Sequence, residues 1–306
     1  MPSDEEVPAE LRDVAGERRA LLNLTYRLLG SVTDAEDAIQ ETYVRWYKLS
    51  PRQRDDIDSP LGWMLKTAGR ICLDMLGSAR ARRERYVGEW LPEPLPGPDR
   101  WTSQRSSADL TDPADQVTMD ESVSMALLLV LDTLTPAERV SFVLHDVFQY
   151  RFGEIAEIVG RSTGACRQLA SSARHRIHAA RTDATARRPP TELVTTFKSA
   201  WESGNFGDLL RMLDPEATAI TDSGGLVTAA PEPITGPHAV AQFLLEVFDR
   251  QPDLVLEHTS VNGEPGLVAR SGTTAAVLAV ISFTVHNDRI DRIWVVRNPE
   301  KLRQWK

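Results

Sequence analysis

A proline-rich segment interrupts the chain and limits how it can fold. Four prolines fall within seven residues, at Pro92, Pro94, Pro96 and Pro98. Proline lacks the amide donor that helices and central strands need, so neither can run through this segment. Polar sequence follows to about Gln116, and such a composition favours extended backbone. Residues 89–116 are therefore predicted to form a linker, with separate units on either side of it in the chain of 306 residues.

The sequence pattern changes along the chain. Apolar residues recur at helical spacing from Leu11 to about Gly88 and again from Val117 to Thr182. From Pro189 onward, two helical segments precede β-rich sequence, which is an α+β order. The fold class predicted is multidomain, with two all-α helical domains followed by an α+β domain. The predicted divisions are a tail at 1–14, helical domains at 15–88 and 117–184, and the α+β domain at 185–306.

The last domain offers no assembled catalytic motif. Its predicted helices span 191–204, 206–213 and 238–248, and its predicted strands span 254–261, 267–270, 275–286 and 290–296. A catalytic role would call for a general base, which a carboxylate or a histidine can provide. The candidates are Asp222, His238, His258 and His286, and no two of them share a motif. Asp222, which precedes Ser223-Gly224-Gly225, is better interpreted as a turn residue whose loop contacts the rest of the protein.

Composition excludes a disordered or fibrous chain, since 42% of the residues are hydrophobic and 26% are charged. The longest uncharged apolar run, 273–285, is shorter than the roughly 20 residues of a membrane-spanning helix. Residues 1–6 lack the basic and apolar regions of a signal peptide. We therefore expect a soluble, cytoplasmic protein with no membrane partner. Cys72 and Cys166 have no paired cysteine or histidine neighbours, so they are predicted to be buried thiols.

Charge is distributed unevenly. The net charge of −9 argues against indiscriminate nucleic-acid binding. Two basic clusters nevertheless stand out in this acidic chain. One consists of Arg80, Arg82, Arg83 and Arg85, and the other of seven arginines from Arg161 to Arg188. Such a cluster is most often only a solvated helix face, so its role depends on the residues around it.

Residues 135–178 follow the order of a helix-turn-helix. Thr135-Pro136-Ala137-Glu138 is a capping box, Gly160 suits a left-handed helix end, and Ser162 suits the N-cap of the next helix. That next helix has one apolar face and one face with donors for bases and phosphates. The candidate DNA-binding residues are Ser162, Thr163, Arg167, Gln168, Ser171, Arg174, His175 and His178. The alternative is an ordinary arginine-rich surface helix, but the turn, the cap and the polar face together favour DNA.

Two helices of the first domain present different polar faces. Thr33-Asp34-Ala35-Glu36 indicates a capping box, and Ser59-Pro60 indicates the start of a later helix. The later helix carries Trp63, Lys66 and Arg70 ahead of the Arg80–Arg85 cluster. This combination suits melted DNA, because unstacked bases need aromatic faces and phosphates need cations. The earlier helix suits a protein partner better, through Asp34, Asp37, Gln40, Glu41 and Arg45.

These residues resemble the extracytoplasmic-function (ECF) RNA polymerase sigma factors over nearly the whole chain. Residues 34–42 look like sigma region 2.2, residues 63–86 look like regions 2.3 and 2.4, and residues 134–139 with the helix-turn-helix look like region 4. The resemblance implies docking on core RNA polymerase, at the β′ clamp helices and the β flap, and reading of the promoter −10 and −35 elements. It implies no catalytic residue, cofactor or metal. Gly77 departs from the family, which often has arginine there.

Three short strings are similar to the subgroup that carries a SnoaL-like extension, the sigma-J type. They are 90–94, 222–225 and 298–302; the second and third each depart by one residue from the family's Asp-Gly-Gly-Gly and Asn-Pro-Asp-Lys-Leu. The resemblance implies a cone-shaped SnoaL/NTF2-like domain, whose pocket makes an unidentified small molecule a candidate ligand. We expect regulatory contacts through Trp90, Leu91, Pro92, Asp222, Ser223, Gly224, Gly225, Asn298 and Lys301.

The features together predict a sigma factor that directs promoter-specific transcription initiation and is regulated in cis by its extension. One alternative is a helix-turn-helix regulator acting without polymerase, which leaves the acidic helix unexplained. Another is a SnoaL-type isomerase or cyclase with an appended DNA-binding region, which needs an acid–base pair. For Trp90, the alternative to contact with the last domain is that it covers the end of the first.

Overall fold

The computed structural model describes residues 9–83, 86–97, 123–183, 189–230 and 232–306. The described residues form two compact units. The first unit contains those up to Arg80 and those from Leu131 to His175, and the second contains the others. The second unit therefore includes the linker residues 86–97 and the short stretch 123–130, together with the C-terminal part of the chain.

Among the described residues up to Asp183, the regular elements are helices. They are α1 (Ala9–Leu29), α2 (Val32–Lys48), α3 (Pro51–Asp55), α4 (Pro60–Arg83), α5 (Met125–Asp132), α6 (Pro136–Phe142), α7 (Phe152–Val159) and α8 (Thr163–Asp183). A π-helical turn, Val143–Val147, extends α6. The two all-α regions predicted from sequence are thus confirmed as helical.

Local capping explains where several helices begin. The Thr135 hydroxyl accepts the Glu138 amide at 3.4 Å, and the Glu138 carboxylate accepts the Thr135 amide at 2.9 Å, as the capping-box sequence predicted. Ser59 accepts the Gly62 amide at 3.1 Å, which confirms it as the cap of α4. The capping box predicted at Thr33 was wrong, because α2 begins two residues earlier than that cap implies, and Ser31 accepts the Asp34 amide at 3.2 Å.

The core of the first unit joins the N-terminal helices to the helix-turn-helix. Ala68 and Cys72 of α4 are buried, and the position of Gly69 faces Leu144 and Ile158. Thus α4 packs against the π-helical turn and α7. Burial raises the pKa of the Cys72 thiol, which keeps this side chain neutral in the core.

The second unit continues the chain with helices and one sheet. Its elements from residue 191 onward are α9 (Thr191–Glu202), α10 (Phe206–Met212), β1 (Leu213–Asp222), β2 (Ile234–Thr235), α11 (Pro237–Arg250), β3 (Leu254–Val261), β4 (Glu264–Ser271), β5 (Val277–His286) and β6 (Arg289–Val296). A 3₁₀ turn, Arg303–Trp305, follows. This α+β order confirms the predicted fold class and agrees with the expected cone-shaped architecture.

The six-stranded sheet has the order β2-β1-β6-β5-β4-β3. The β1–β6 pair is parallel, and every other pair is antiparallel. One face packs against α9, α10 and α11 through residues such as Ile293 and Val295. The alternate residues Trp294 and Val296 lie on the other face, in an apolar cluster that includes Leu91 of the linker. The linker thus belongs to the core of this unit.

Sequence patterning identified four of the six strands and missed the two-residue β2 and the longer β1. Its residues Asp214, Pro215 and Glu216 have the composition of a turn. In the structure they lie where the register of β1 against β6 shifts, between Leu213 and Thr218. A bulge at this point lets the strand accommodate proline, which a regular central strand does not.

Three further expectations concern cysteines, membranes and metals. Cys72 and Cys166 are free and buried, as predicted. No helix in the described ranges is long and apolar enough to cross a membrane. Within the same ranges, no group of three or more His, Cys, Asp or Glu side chains is placed to hold a metal ion.

Candidate functional site

A buried carboxylate at the end of β1 holds the linker on the second unit. Asp222 is fully buried. Its Oδ1 accepts the Tyr86 hydroxyl at 2.6 Å and the Gly224 amide at 3.1 Å. Its Oδ2 accepts the Leu91 amide at 2.9 Å and the Lys301 ammonium at 2.6 Å. With Asn298 these residues form the linker clamp, defined here as Tyr86, Leu91, Asp222, Asn298 and Lys301.

The C-terminal segment completes the linker clamp. The Asn298 side-chain amide donates to the Tyr86 hydroxyl at 2.7 Å, and its backbone amide donates to the Asp222 carbonyl at 3.0 Å. The Lys301 ammonium donates to the Leu91 carbonyl at 2.6 Å. It also lies 4.4 Å from the centre of the Trp90 ring and 4.8 Å from that of Tyr86, within cation–π range.

Burial determines the protonation of the clamp tyrosine. Burial, and next the hydrogen bond to Asp222, raise the pKa of the Tyr86 hydroxyl well above its usual value. Tyr86 therefore stays neutral and keeps the proton that it donates. The Asp222–Lys301 pair is also largely desolvated, with Lys301 only 11% exposed and Asp222 at 0%. A pair this buried depends on both partners being present.

The glycines after Asp222 are required by the geometry of the clamp. Gly224 has φ +60°, and a Cβ built there would lie 2.4 Å from Asn298 Nδ2. Gly225 has φ +71°, and its Cβ would lie 2.9 Å from the Val87 side chain. Both the left-handed backbone and the close approach exclude larger residues. Ser223 contributes a local bond, since its hydroxyl accepts the Gly225 amide at 3.3 Å.

A second set of contacts fixes the linker farther along. Asn262 exchanges two hydrogen bonds with Leu95, at 2.8 and 2.9 Å, and its side-chain amide donates to the Val123 carbonyl at 2.9 Å. The Trp305 indole donates to the Pro94 carbonyl at 2.9 Å. A single asparagine therefore holds both flanks of residues 98–122.

The structure brings together most of the residues expected to make regulatory contacts. Trp90, Leu91, Asp222, Asn298 and Lys301 meet in one cluster, the buried Pro92 continues the docked segment, and Ser223 to Gly225 form the adjoining turn. Sequence reasoning missed Tyr86, Asn262 and Trp305. The only sequence signal for Tyr86 was its place a few residues before the tryptophan of the linker.

The helix-turn-helix presents its candidate DNA-binding residues to solvent. All eight are exposed: Ser162, Thr163, Arg167, Gln168, Ser171, Arg174, His175 and His178. Gly160 ends α7 with φ +68°, and Ser162 accepts the Ala165 amide at 3.2 Å, as predicted. Two of the arginines have protein partners. The Arg167 guanidinium lies 5.5 Å from the Phe152 ring centre, and Arg174 pairs with Asp146 at 2.6 Å.

The orientation of α8 is fixed by the capping residue of α6. The Glu138 carboxylate, which caps α6, also accepts the Ser172 hydroxyl at 2.7 Å. Cys166, Ala170 and Ala173 are fully buried on the opposite face of α8 from the exposed arginines. Sequence periodicity predicted this apolar face, but it gave no signal for the Glu138–Ser172 bond.

Two of the −10 candidates on α4, Trp63 and Lys66, are only partly exposed. The ring of Trp63 packs against Trp46, with centroids 5.3 Å apart. Lys66 pairs with Glu154 of α7 at 3.2 Å, whereas Arg70 is exposed. The side chains of Arg80, Arg82 and Arg83, and the whole of Arg85, lie outside the described residues.

The acidic helix presents its polar residues beside exposed apolar ones. Asp37 and Gln40 are exposed, and Asp34 is half-buried near the start of α2. Glu41 pairs with Arg45 at 2.8 Å. Val44 and Tyr47 on the same helix are 40% and 69% exposed. A surface that combines exposed carboxylates with exposed apolar side chains is typical of a protein-binding site.

A cavity of about 460 Å³ lies between the sheet and α9 and α11 of the second unit. Its walls include Trp201, Phe243, Ala279 and Ile281. None of the four general-base candidates lines it. His286 instead lies 3.5 Å from Asp214, and His258 is exposed. The structure therefore does not assemble an acid–base pair from these candidates.

Comparisons with known proteins identify sigma-factor relatives over nearly the whole chain. Sigma-70 region 2 matches residues 14–82, and Sigma-70, region 4 matches residues 124–177. The ECF RNA polymerase sigma factor SigJ of Mycobacterium tuberculosis is 34% identical over 303 residues, covering 96% of this chain and 93% of SigJ. A probable ECF RNA polymerase sigma factor of the same species, SigI, is 33% identical over 93% of this chain and 92% of its own.

A solved structure extends this likeness to three dimensions. The crystal structure of M. tuberculosis SigJ matches with a TM-score of 0.72 at 31% identity, covering 95% of this chain and 98% of SigJ. The similarity therefore includes the linker and the α+β unit as well as the helical regions.

Proposed function

This chain belongs to the extracytoplasmic-function family of RNA polymerase sigma factors, and from that premise we propose which surfaces serve each step of initiation and how the C-terminal domain regulates them. A sigma factor is a non-enzymatic transcription initiation factor, and its partners are core RNA polymerase and promoter DNA. The residue assignments and the regulation that follow are our proposal.

The exposed face of α2 binds core polymerase, at the β′ clamp helices. The observation that supports this is the exposure of Asp37 and Gln40 beside Val44 and Tyr47. Asp34, Glu41 and Arg45 complete the same surface, and the helices around α6 face the β flap. Asp37→Lys should weaken binding to core polymerase without changing the stability of the free protein. Asp56→Lys, at an exposed acid outside α2, is the matched control. Equal affinity of both variants would remove α2 from the interface.

Two helices recognise different elements of promoter DNA. The exposed face of α8 reads the −35 element through Arg167, Gln168, Ser171 and Arg174, because bidentate arginine and glutamine contacts distinguish base pairs in the major groove. The α4 face engages the −10 element through Trp63, Lys66 and Arg70, together with the arginine cluster from Arg80 to Arg85. In that state Lys66 leaves Glu154, so formation of the initiation complex breaks the Lys66–Glu154 pair.

The C-terminal domain regulates initiation in cis by holding the linker. The observation that carries this proposal is the linker clamp, in which one buried carboxylate binds Tyr86, Leu91 and Lys301. The linker joins the −10-binding region to the −35-binding region, so docking it on the C-terminal domain limits the separation that the two regions can reach. The domain also carries a cavity, and a small molecule bound there is the input that we propose for this regulation.

Run-off transcription with core polymerase on one promoter tests the regulatory role. The arms are the full chain, a chain ending at residue 183, and Tyr86→Phe in the full chain. Both changes should alter the output relative to the full chain, because both weaken or remove the hold on the linker. Ser199→Ala, a hydroxyl deletion at an exposed position of α9, is the control. Equal output from all arms would mean that the extension does not regulate transcription.

A further inference from the structure

The cavity of the C-terminal domain has mainly apolar walls, and its polar lining residues are Thr221, Thr228, Arg250, Gln251 and Arg297. Phe243, Leu244 and Val247 of α11 form one side, and Ala269 and Ile281 of the sheet form the other. At about 460 Å³ it has the size of pockets that bind small organic molecules. Among the residues that line it within the described chain there is no aspartate, glutamate, histidine or cysteine.

One polar group on the wall lacks a partner. The Thr221 hydroxyl is inaccessible to solvent and makes no hydrogen bond within the described structure, and the residue is only 4% exposed. Thr221 shares its side of β1 with Ala217 and Ala219, whose side chains lie in the core between sheet and helices. A buried hydroxyl without a partner costs free energy, which a ligand acceptor would recover.

A cation lies on the same wall. Arg297 lines the cavity and is half-buried, and its guanidinium donates to the Thr228 carbonyl. No carboxylate among the described residues pairs with it. Burial lowers the pKa of Arg297, because it removes part of the water around the guanidinium. A desolvated guanidinium beside an apolar cavity favours an anion with an apolar body.

We propose that this cavity binds an apolar carboxylic acid, with the hydrocarbon between α11 and the sheet and the carboxylate on Arg297 and Thr221. Ligand binding itself does not depend on the proposed regulatory function. Only its effect on linker docking does, and that effect follows from the order of residues in the chain. Thr221 directly precedes Asp222, and Arg297 directly precedes Asn298, so both polar contacts of the ligand are next to residues of the linker clamp.

Binding and linker docking are therefore coupled. The backbone amides of Arg297 and Asn298 both donate to the Asp222 carbonyl, at 2.7 and 3.0 Å. A shift of Arg297 toward a ligand moves the same backbone that positions the Asp222 carboxylate. By reciprocity, a ligand that changes linker docking has its own affinity changed by the same factor when the clamp is weakened.

Calorimetric titration of the full chain with decanoate and 1-naphthoate, without polymerase or DNA, tests the site. Arg297→Met should weaken carboxylate binding roughly 10- to 150-fold, the range for a hydrogen bond to a charged group. It should leave the affinity for 1-decanol unchanged. Ala279→Leu, which fills the cavity, should abolish binding of all three probes. Arg289→Met, an exposed arginine at the start of β6, is the control and should bind like the original chain.

The outcomes separate this inference from the regulatory proposal. Absence of binding by both carboxylates, or equal affinity of Arg297→Met and the original chain, would overturn the carboxylate site. Neither outcome would affect the run-off transcription test of the regulatory role. Thr221→Val provides a milder second variant, with binding roughly 2- to 10-fold weaker expected for loss of a neutral hydrogen bond. Amide exchange of Leu91 should change when decanoate binds, and unchanged exchange would contradict the coupling.

Discussion

Replacement of Asp222 by asparagine should release the linker while leaving the shape of the side chain almost unaltered. Its two oxygens receive four donors, from Tyr86, Gly224, Leu91 and Lys301. Asparagine offers one acceptor oxygen and one donor group. In either orientation of the amide, two donors of the clamp face another donor, and the Lys301 ammonium loses its counter-charge.

The magnitude follows from the burial of the pair. Breaking a buried ion pair by removing one partner costs about 3–5 kcal/mol. Lys301 is 11% exposed, so some water reaches it and the lower end of that range applies. A loss of about 3 kcal/mol corresponds to a change of roughly 100-fold in the docking equilibrium. Undocking of the linker limits the loss, because it returns the Lys301 ammonium to water.

Thermal unfolding and amide exchange at Leu91 measure this loss, and a double-mutant cycle identifies its origin. Lys301→Met alone should also destabilise, because it leaves Asp222 buried without its cation. The double variant should cost less than the sum of the two, by about 1–3 kcal/mol. The exposed pair Arg250–Glu246, in the same unit, is the control and should give about 0–1 kcal/mol. Additive losses at Asp222 and Lys301 would refute the buried-pair reasoning.

Three further changes have defined outcomes. Gly224→Ala should destabilise the second unit in thermal unfolding more than Gly88→Ala does, since both have positive φ but only the first meets another atom, at 2.4 Å; equal losses would mean that the close approach does not matter. Arg167→Ala should lower the binding preference for one base pair of the −35 element by about 1–3 kcal/mol in competition binding. An unchanged preference would mean that Arg167 of α8 does not read the −35 element. Because the pKa of Tyr86 is raised above its unfolded value of about 10, its contribution to stability is complete below that pH and is lost as the pH rises further. Melting temperatures above about pH 10 should therefore fall less steeply in Tyr86→Phe, and parallel curves would exclude Tyr86 as the cause.

Local signals were enough to predict the helix-turn-helix. The Thr135 cap, the Gly160 end and the Ser162 cap depend on residues within four positions of one another, so the sequence contains all of the interacting groups. The start of α2 shows the limit of such signals. Ser31 and Thr33 both precede an acidic residue by three positions, so the motif alone does not distinguish them, and in the structure the cap is Ser31.

Long-range contacts were not predictable in this way. Asp222 was interpreted as a turn residue, and its bond to Gly224 fits that interpretation. Its other partners lie 79 to 136 residues away, so no spacing rule could indicate them. The carbonyl and amide groups of Leu95 that Asn262 binds carry no sequence information at all. Only the strings shared with relatives indicated that the linker and the last domain meet.

Asn262 makes docking of the linker independent of the number of residues between Pro98 and Ser122. Because it binds Leu95 on one side and Val123 on the other, the ends of residues 98–122 are pinned by one side chain and its backbone. Insertions or peptide tags between Pro98 and Ser122 should therefore leave linker docking intact, which makes this segment the natural place to add a fluorophore or a cleavage site.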